Sequence, residues 1–462
     1  MVFQSVYAIM TRIFHNIFWQ RLIPAALALL PLVSLNAQTN TNSLPLSGSI
    51  PRRPSIILIL ADNIGYGDLG CYGQTKIKTP NLDKLASEGI RFTHFYAASP
   101  DDASARAALF TGVEPRNARA DLPLGTNAVA LAAWLKQLGY HTGLVGEWGL
   151  GYVGPLMPNQ KGFDEFAGFL NDVHARDYFS DKIYRQDPKT GFDGLESLIE
   201  NSGGQHGRYL PGFLGAIANN FLKINLPEKF NGYRPFFLCL AYPIPHPSEI
   251  PGDAPYSQES WPAAAKNRAA MITRMDENIG AVLKQLSTLK ADTNTIVIFT
   301  SVNGPQNEDG IDPKLFNSAG GLRSEQGSVY EGNLRVPMII RWPARIKPGH
   351  VSDFVWGAQD LLPTAAELGY GKPPEHIDGI SVFPTLIGKK QTNRHESFYW
   401  ESVANEGQQA VRMNDWKLVH NTTNSTELYN LKTDPGEKQN VAEKNRDVVT
   451  KLEKALGGLP QK

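Results

Sequence analysis

The sequence predicts an α/β fold, a doubly wound, mostly parallel sheet followed by a smaller C-terminal antiparallel sheet with one helix. Three observations predict it. Short, nearly continuous apolar runs recur along the chain, as in strands buried on both faces. Segments with apolar residues at helical spacing lie between them, the alternation of a parallel sheet. From about residue 376 the pattern changes to short strands without intervening helices.

The elements follow in order. Arg12 and Arg21 precede an apolar run from Leu22 to Leu35, and Leu35-Asn36-Ala37 ends it like an export-signal cleavage site. The run is about 14 residues, short of the roughly 20 that span a membrane, so residues 1–37 are expected to be a signal peptide that leaves no span after its removal. Residues 38–53 are rich in Asn, Thr, Ser and Pro and read as a flexible leader. Residues 54–375 form the main α/β domain and 376–462 a C-terminal α+β subdomain. The protein is expected to be secreted or periplasmic.

Strands are expected at Ser55–Leu60, Tyr140–Val145, Pro235–Tyr242 and Thr295–Thr300. A helix is expected from Asn81, acting as cap, to a stop at Gly89. Others are expected over Ala128–Leu138 and over Met271–Leu289, where Met271, Met275, Ile279, Leu283 and Leu286 share a face. In the tail, His395–Glu401, Gln409–Met413 and Trp416–His420 read as strands and Asn445–Leu456 as a helix. Lys+Arg and Asp+Glu are both 45, so no global field draws the chain to nucleic acid. Two cysteines, Cys71 in a loop and Cys239 in a strand, are too few for a disulfide framework and are expected to be free.

In a doubly wound sheet, ligands bind beyond the carboxyl ends of the strands. Asp62-Asn63 follows the first strand, Glu147-Trp148-Gly149 the second, His246 the third and Val302-Asn303 the fourth. Four strand ends therefore converge on one crevice.

Ser99-Pro-Asp-Asp-Ala-Ser-Ala-Arg-Ala-Ala-Leu-Phe-Thr-Gly112 resembles the active-site segment of the type I sulfatases, Cys (or Ser)-x-Pro-x-Arg, whose Cys or Ser becomes formylglycine. Ile59–Gly73 is similar to that family's opening metal loop, and Thr79–Ala86 follows as it does there. Tyr330–Pro337, Asp360–Thr364, Asp378–Ser381 and Leu428–Glu437 are similar to its later signatures. From Ser55 to about Leu456 the chain is thus identified as a member of the formylglycine-dependent sulfatases of the alkaline phosphatase superfamily. It is similar to arylsulfatase and N-acetylgalactosamine-6-sulfatase-like members.

The resemblance implies an alkaline-phosphatase-like fold and a demanding site. A hydrated formylglycine attacks sulfur, calcium held by three Asp and one Asn polarises the sulfate, two Lys and an Arg neutralise charge, and His residues move protons. Asp62, Arg106, His246 and Asn303 match. Six positions do not: Asp102 stands at the nucleophile, Asn63 and Val302 at two metal Asp positions, Glu147 and Gln326 at the two Lys positions, and Gly149 at a His. Ser104 also replaces the Pro.

No formylglycine is expected. Asp62, Asn63, Asn303 and Asp102 could still offer oxygens to calcium. Arg106 is either an anion ligand or held by a salt bridge, for which Asp102 is a candidate. His246 either contacts ligand or is a structural residue. With all acids ionised, Asp62, Asp102 and Glu147 against Arg106 sum to −2, and each close repulsion of a sulfate costs on the order of 1 to 4 kcal/mol. The expectation is an exported pseudoenzyme that binds a sulfated or neutral carbohydrate or pairs with an active sulfatase. The alternatives are a sulfuric-ester hydrolase with a rearranged, metal-dependent site, and a carbohydrate-binding or scaffold protein.

Overall fold

The computed structural model describes residues 52–117, 128–229, 233–306, 313–325, 327–403, 407–421 and 425–457. Residues 1–51, which hold the expected signal peptide and nearly all of the expected leader, and Gln326 lie outside them. The described residues belong to one compact unit, 52–462.

The first strands in chain order are β1 (Ser55–Ala61), β2 (Ile90–Phe92), β3 (Phe95–Tyr96), β4 (His141–Glu147) and β5 (Glu165–Phe169). Next come β6 (Lys182–Asp187), β7 (Phe192–Ser197), β8 (Phe236–Ala241), β9 (Thr295–Ser301), β10 (Met338–Arg341), β11 (His350–Ser352) and β12 (Trp356–Gly357). The last four are β13 (Phe398–Ser402), β14 (Gln408–Met413), β15 (Trp416–His420) and β16 (Thr426–Asn430).

Ten of them form the main sheet, in the order β11-β2-β10-β9-β1-β8-β4-β5-β6-β7. Its centre, β9-β1-β8-β4-β5, is parallel throughout. The four strands expected from the apolar runs are β1, β4, β8 and β9. They sit side by side, which is why each is apolar on both faces. In β1, Ile56, Leu58 and Leu60 enter one core layer, and Ile57, Ile59 and Ala61 enter the other. The antiparallel flank strands β6 and β7 are polar and carry no apolar run.

The helix Ala263–Thr288 begins eight residues before the expected Met271. Ala263 to Ala265 follow Pro262 and favour helix without contributing large apolar side chains to the stripe. The early helix is Pro80–Ser87, with Thr79 rather than Asn81 at the cap position. Asn81 is displaced from that role because Asp276, on the Ala263–Thr288 helix, supplies the cap from outside. Its carboxylate accepts from Asn81 N–H at 3.1 Å and Leu82 N–H at 2.8 Å, satisfying first-turn donors that have no partner within the helix. The Ala128–Leu138 helix shortens to Leu131–Gln137. Cys71 falls in a single 3-10 turn, Gly70–Tyr72, and both cysteines are free.

The small sheet runs β13-β14-β15-β16, all antiparallel. The first strand starts at Phe398, later than His395, because His395 turns to bond Asp360 at 2.7 Å. One face packs on Tyr96, Val329, Tyr330 and Leu334 of the main domain. There the Trp400 indole donates to the Ala97 carbonyl at 2.9 Å. Helix Arg446–Gly457 covers the other face through Leu452. No helix among the described residues is long and apolar enough to cross a membrane.

Candidate active site

Because β9, β1, β8 and β4 are adjacent and parallel, their carboxyl ends lie on one edge of the sheet. Asp62 and Asn63 leave β1, Glu147 is the last residue of β4, His246 follows β8, and Val302 and Asn303 leave β9. Asp102 opens the helix Asp102–Thr111, and Arg106 lies one turn further on. Asn303 N–H donates to the Asp62 carbonyl at 3.0 Å, joining two of these strand ends directly.

Arg106 is the hub. Its Nη2 lies 2.9 Å from Asp62 Oδ1 and 3.4 Å from Glu147 Oε1, with all three side chains buried. Its Nη1 donates to the Glu147 carbonyl at 3.3 Å. Asp102 is not the ion-pair partner. Asn303 Nδ2 donates to Asp102 Oδ1 at 2.6 Å, and Gln306 Nε2 to the same oxygen at 3.3 Å. The physical reason is position: Glu147, where the family has Lys, offers the guanidinium a second carboxylate beside Asp62. His246 Nε2 holds the other Asp62 oxygen, and the Tyr178 hydroxyl, in turn, accepts the His246 backbone N–H at 3.1 Å.

Gly149 has a left-handed φ of 68°. A Cβ there would stand 3.0 Å from Glu147 Oε1 and 3.1 Å from Arg106 Nε. A side chain at 149 would press on the Arg106–Glu147 pair as well as strain the backbone, so Gly149 suits this arrangement. Val302 is buried in the core layer under β9, so an apolar contact stands where the resemblance implies a ligand. Gln326 lies outside the described residues.

Burial and charge set the protonation pattern. For Asp62, burial raises the carboxyl, but the hydrogen bond and charge of His246, with Arg106 and Arg176, hold it below its usual value. Asp102 is pushed up to about 6, by burial first and then by Asp62. Burial also pushes Glu147 up to about 7, against the pull of Arg106. The cluster thus relieves its excess negative charge by holding protons.

This gives a signed pH dependence. A raised carboxyl stabilises the fold below its usual pKa and loses that contribution as pH rises through the folded value. For Glu147 the window runs from 4.5 to about 7. Chemical denaturation is expected to show stability falling across this window, by about 3 kcal/mol from this group, with the fall flattened in Glu147→Gln. An unchanged slope in that variant would show that Glu147 does not carry the effect.

The donor set does not make a calcium site of the family type. Asp62 has both oxygens engaged by Arg106 and His246. Val302 has no donor, and Asn63 is neutral. Among the described residues no group of three or more His, Cys, Asp or Glu stands in metal-binding arrangement. The buried Asn63 Oδ1, Asn303 Oδ1 and Glu147 Oε2 do lack hydrogen-bond partners there. Two neutral amide oxygens and an acid pushed up towards neutrality are a weak substitute for three carboxylates.

Sequence reasoning missed Gln306, Tyr178 and Arg268. Arg268, on the long helix, donates to the Asn63 carbonyl at 3.3 Å and to Asp68 at 2.9 Å. Tyr178 and Arg268 reach the site from remote segments that no local pattern marks, whereas Gln306 lies three residues beyond Asn303 and was overlooked in the same loop.

This architecture and the arrangement at its strand ends define a sulfatase-type α/β protein. The sulfatase family model matches residues 54–371, and that of the C-terminal part of N-sulphoglucosamine sulphohydrolase matches 325–462. The chain belongs to the sulfatase family. It is 28% identical to an N-acetylgalactosamine-6-O-sulfatase of Bacteroides thetaiotaomicron, over 94% of this chain and 98% of that protein. It is 32% identical to human arylsulfatase A, over 85% and 84% of the two chains. Among solved structures, Ps i-CgsB in complex with k-i-k-neocarrahexaose aligns with a TM-score of 0.72 at 29% identity, covering 87% of this chain and 92% of that one. Members of the family typically use calcium.

Proposed function

We propose that this chain is an exported sulfatase-family member that has lost the formylglycine mechanism and acts by binding glycan. One observation carries the reading. Asp102 stands where the family oxidises Cys or Ser, and it faces Asn303 and Gln306 while Arg106 is neutralised by Asp62 and Glu147. A carboxylate cannot be converted to formylglycine. The guanidinium that would meet a sulfate already has two acidic partners, and the acids around it oppose an anion. No step through calcium is assigned. Pairing with an active sulfatase is compatible with the same loss and would be seen as co-purification with one.

Purified mature protein is expected to show no turnover of aryl sulfates or sulfated sugars, with or without added calcium. Single reversion of Asp102→Cys is expected to stay inactive, since Glu147, Gly149 and Val302 remain. Turnover by the natural chain that disappears in Asp102→Ala would overturn the proposal.

A hydrolase with a rearranged site is the second reading. It is favoured by two carboxyls titrating near neutrality, Asp102 and Glu147, a pattern common at catalytic centres. Release of product from sulfate or phosphate esters that required Asp62 would support it.

A further inference from the structure

Beside the strand-end crevice lies a second concavity of about 800 Å³ that the Asp102–Arg106 cluster does not use. It opens at the carboxyl ends of β4 and β5 and is closed on its far side by the β6–β7 hairpin. Tyr152 comes from the loop after β4, and Leu170 and Val173 from the turn after β5. Tyr184 and Leu195 face each other across the hairpin.

Three of these apolar side chains are open to solvent: Tyr152 is 63% exposed, Val173 77% and Leu195 56%. Isolated exposed apolar residues need no explanation, but several gathered in one concavity mark a binding surface. The Tyr184 ring is fixed, because its hydroxyl donates to Asp193 at 2.7 Å and its face stacks on Phe166. The cleft therefore offers an anchored aromatic ring and a second, exposed one to a ligand.

The cleft lies next to the strand end that carries Glu147. Four residues separate Glu147 from Tyr152, and the Trp148 N–H donates to the Phe169 carbonyl at 2.9 Å, so the two loops leave the sheet together. Charge identifies the occupant. The rim carries Asp172 and Asp181 against Lys182, so it does not attract a polyanion. Aromatic and aliphatic faces with polar rims suit pyranose rings, which present C–H faces and hydroxyl edges.

We propose that this cleft binds a neutral, unsulfated stretch of carbohydrate chain, with Tyr152 and Leu195 as its main contacts. The proposal rests on the glycan-binding reading above but names a different part of the surface. The test is retention of the mature chain on an array of neutral and sulfated oligosaccharides, followed by titration calorimetry with the best-retained neutral one. Retention on neutral members is expected, with affinity falling about tenfold in Tyr152→Ala and in Leu195→Ser. Both positions are exposed, and unchanged melting temperatures would confirm that the variants fold. Retention only on sulfated members, retention indifferent to both substitutions, or no retention on any member would overturn it. Sulfate-ester turnover, measured separately, would instead overturn the loss of catalysis and leave the cleft standing.

Discussion

Replacing Arg106 by Met is expected to lower stability by about 3 to 5 kcal/mol, the range for removing one partner from a buried ionic group. The substitution keeps a long side chain but leaves the buried Asp62 and Glu147 without the cation that lies 2.9 and 3.4 Å from them. Asp62 would keep His246 and the charge of Arg176. Glu147, already pushed up to about 7, would answer by holding its proton more firmly. The loss should therefore be larger at pH 8 than at pH 5, where the proton is present anyway. Urea denaturation at the two pH values checks both parts. A loss below about 1 kcal/mol, or one equal at both pH values, would mean that Arg106 is not the centre of the cluster.

The second large effect lies far from the strand ends. Lys417, on β15, is fully buried between Glu331 Oε1 at 3.0 Å and Glu437 Oε1 at 2.9 Å. Glu331 also accepts from the Tyr96 hydroxyl at 2.7 Å, and Glu437 accepts the Glu331 backbone N–H at 2.7 Å. Burial opposes ionisation of Glu331, but Lys417, Arg412 and Arg335 hold it down at about 2. Burial pushes Glu437 up to about 7. Lys417→Met is expected to cost about 3 to 5 kcal/mol. Combining it with Glu331→Gln and Glu437→Gln should recover much of that, since the penalty comes from uncompensated charge rather than from lost attraction. Denaturation curves of the single and triple variants decide. A triple variant as unstable as the single one would place the cost in packing instead.

These two clusters show why the sequence was informative in parts. Four of the five central strands, β1, β4, β8 and β9, were legible because burial on both faces leaves no polar alternation to obscure them; β5, also parallel and largely buried, was not read. The flank strands β6 and β7 were not legible either, since their polar residues find partners across the hairpin, as Arg185 does with Glu196 at 3.0 Å. Strand β16 went unread as a strand because it overlaps the segment Leu428–Glu437 read for its family signature. The convergence of Asp62, Glu147, His246 and Asn303 followed from topology alone, since parallel neighbours end on the same side.

Pairings inside the cluster were less legible. Arg106 prefers Glu147 to Asp102 through a geometry fixed by a glycine two residues beyond Glu147. The later family signatures also prove to hold the scaffold in this chain. Glu331 and Glu437 clamp Lys417, and Asp360 binds His395 and the Gly357 and Ile380 N–H groups. Their presence accompanies the fold whether or not the reaction survives.

The Asp276 carboxylate that finishes the Pro80–Ser87 helix also sets an order of events. It lies 195 residues beyond Asn81. A ribosome adding about 5 to 20 residues per second needs on the order of ten seconds or more to cover that distance. During that interval the first turn of the short helix has amides that water must satisfy. The cap of this early helix is therefore completed only once a segment from the second half of the chain is in place.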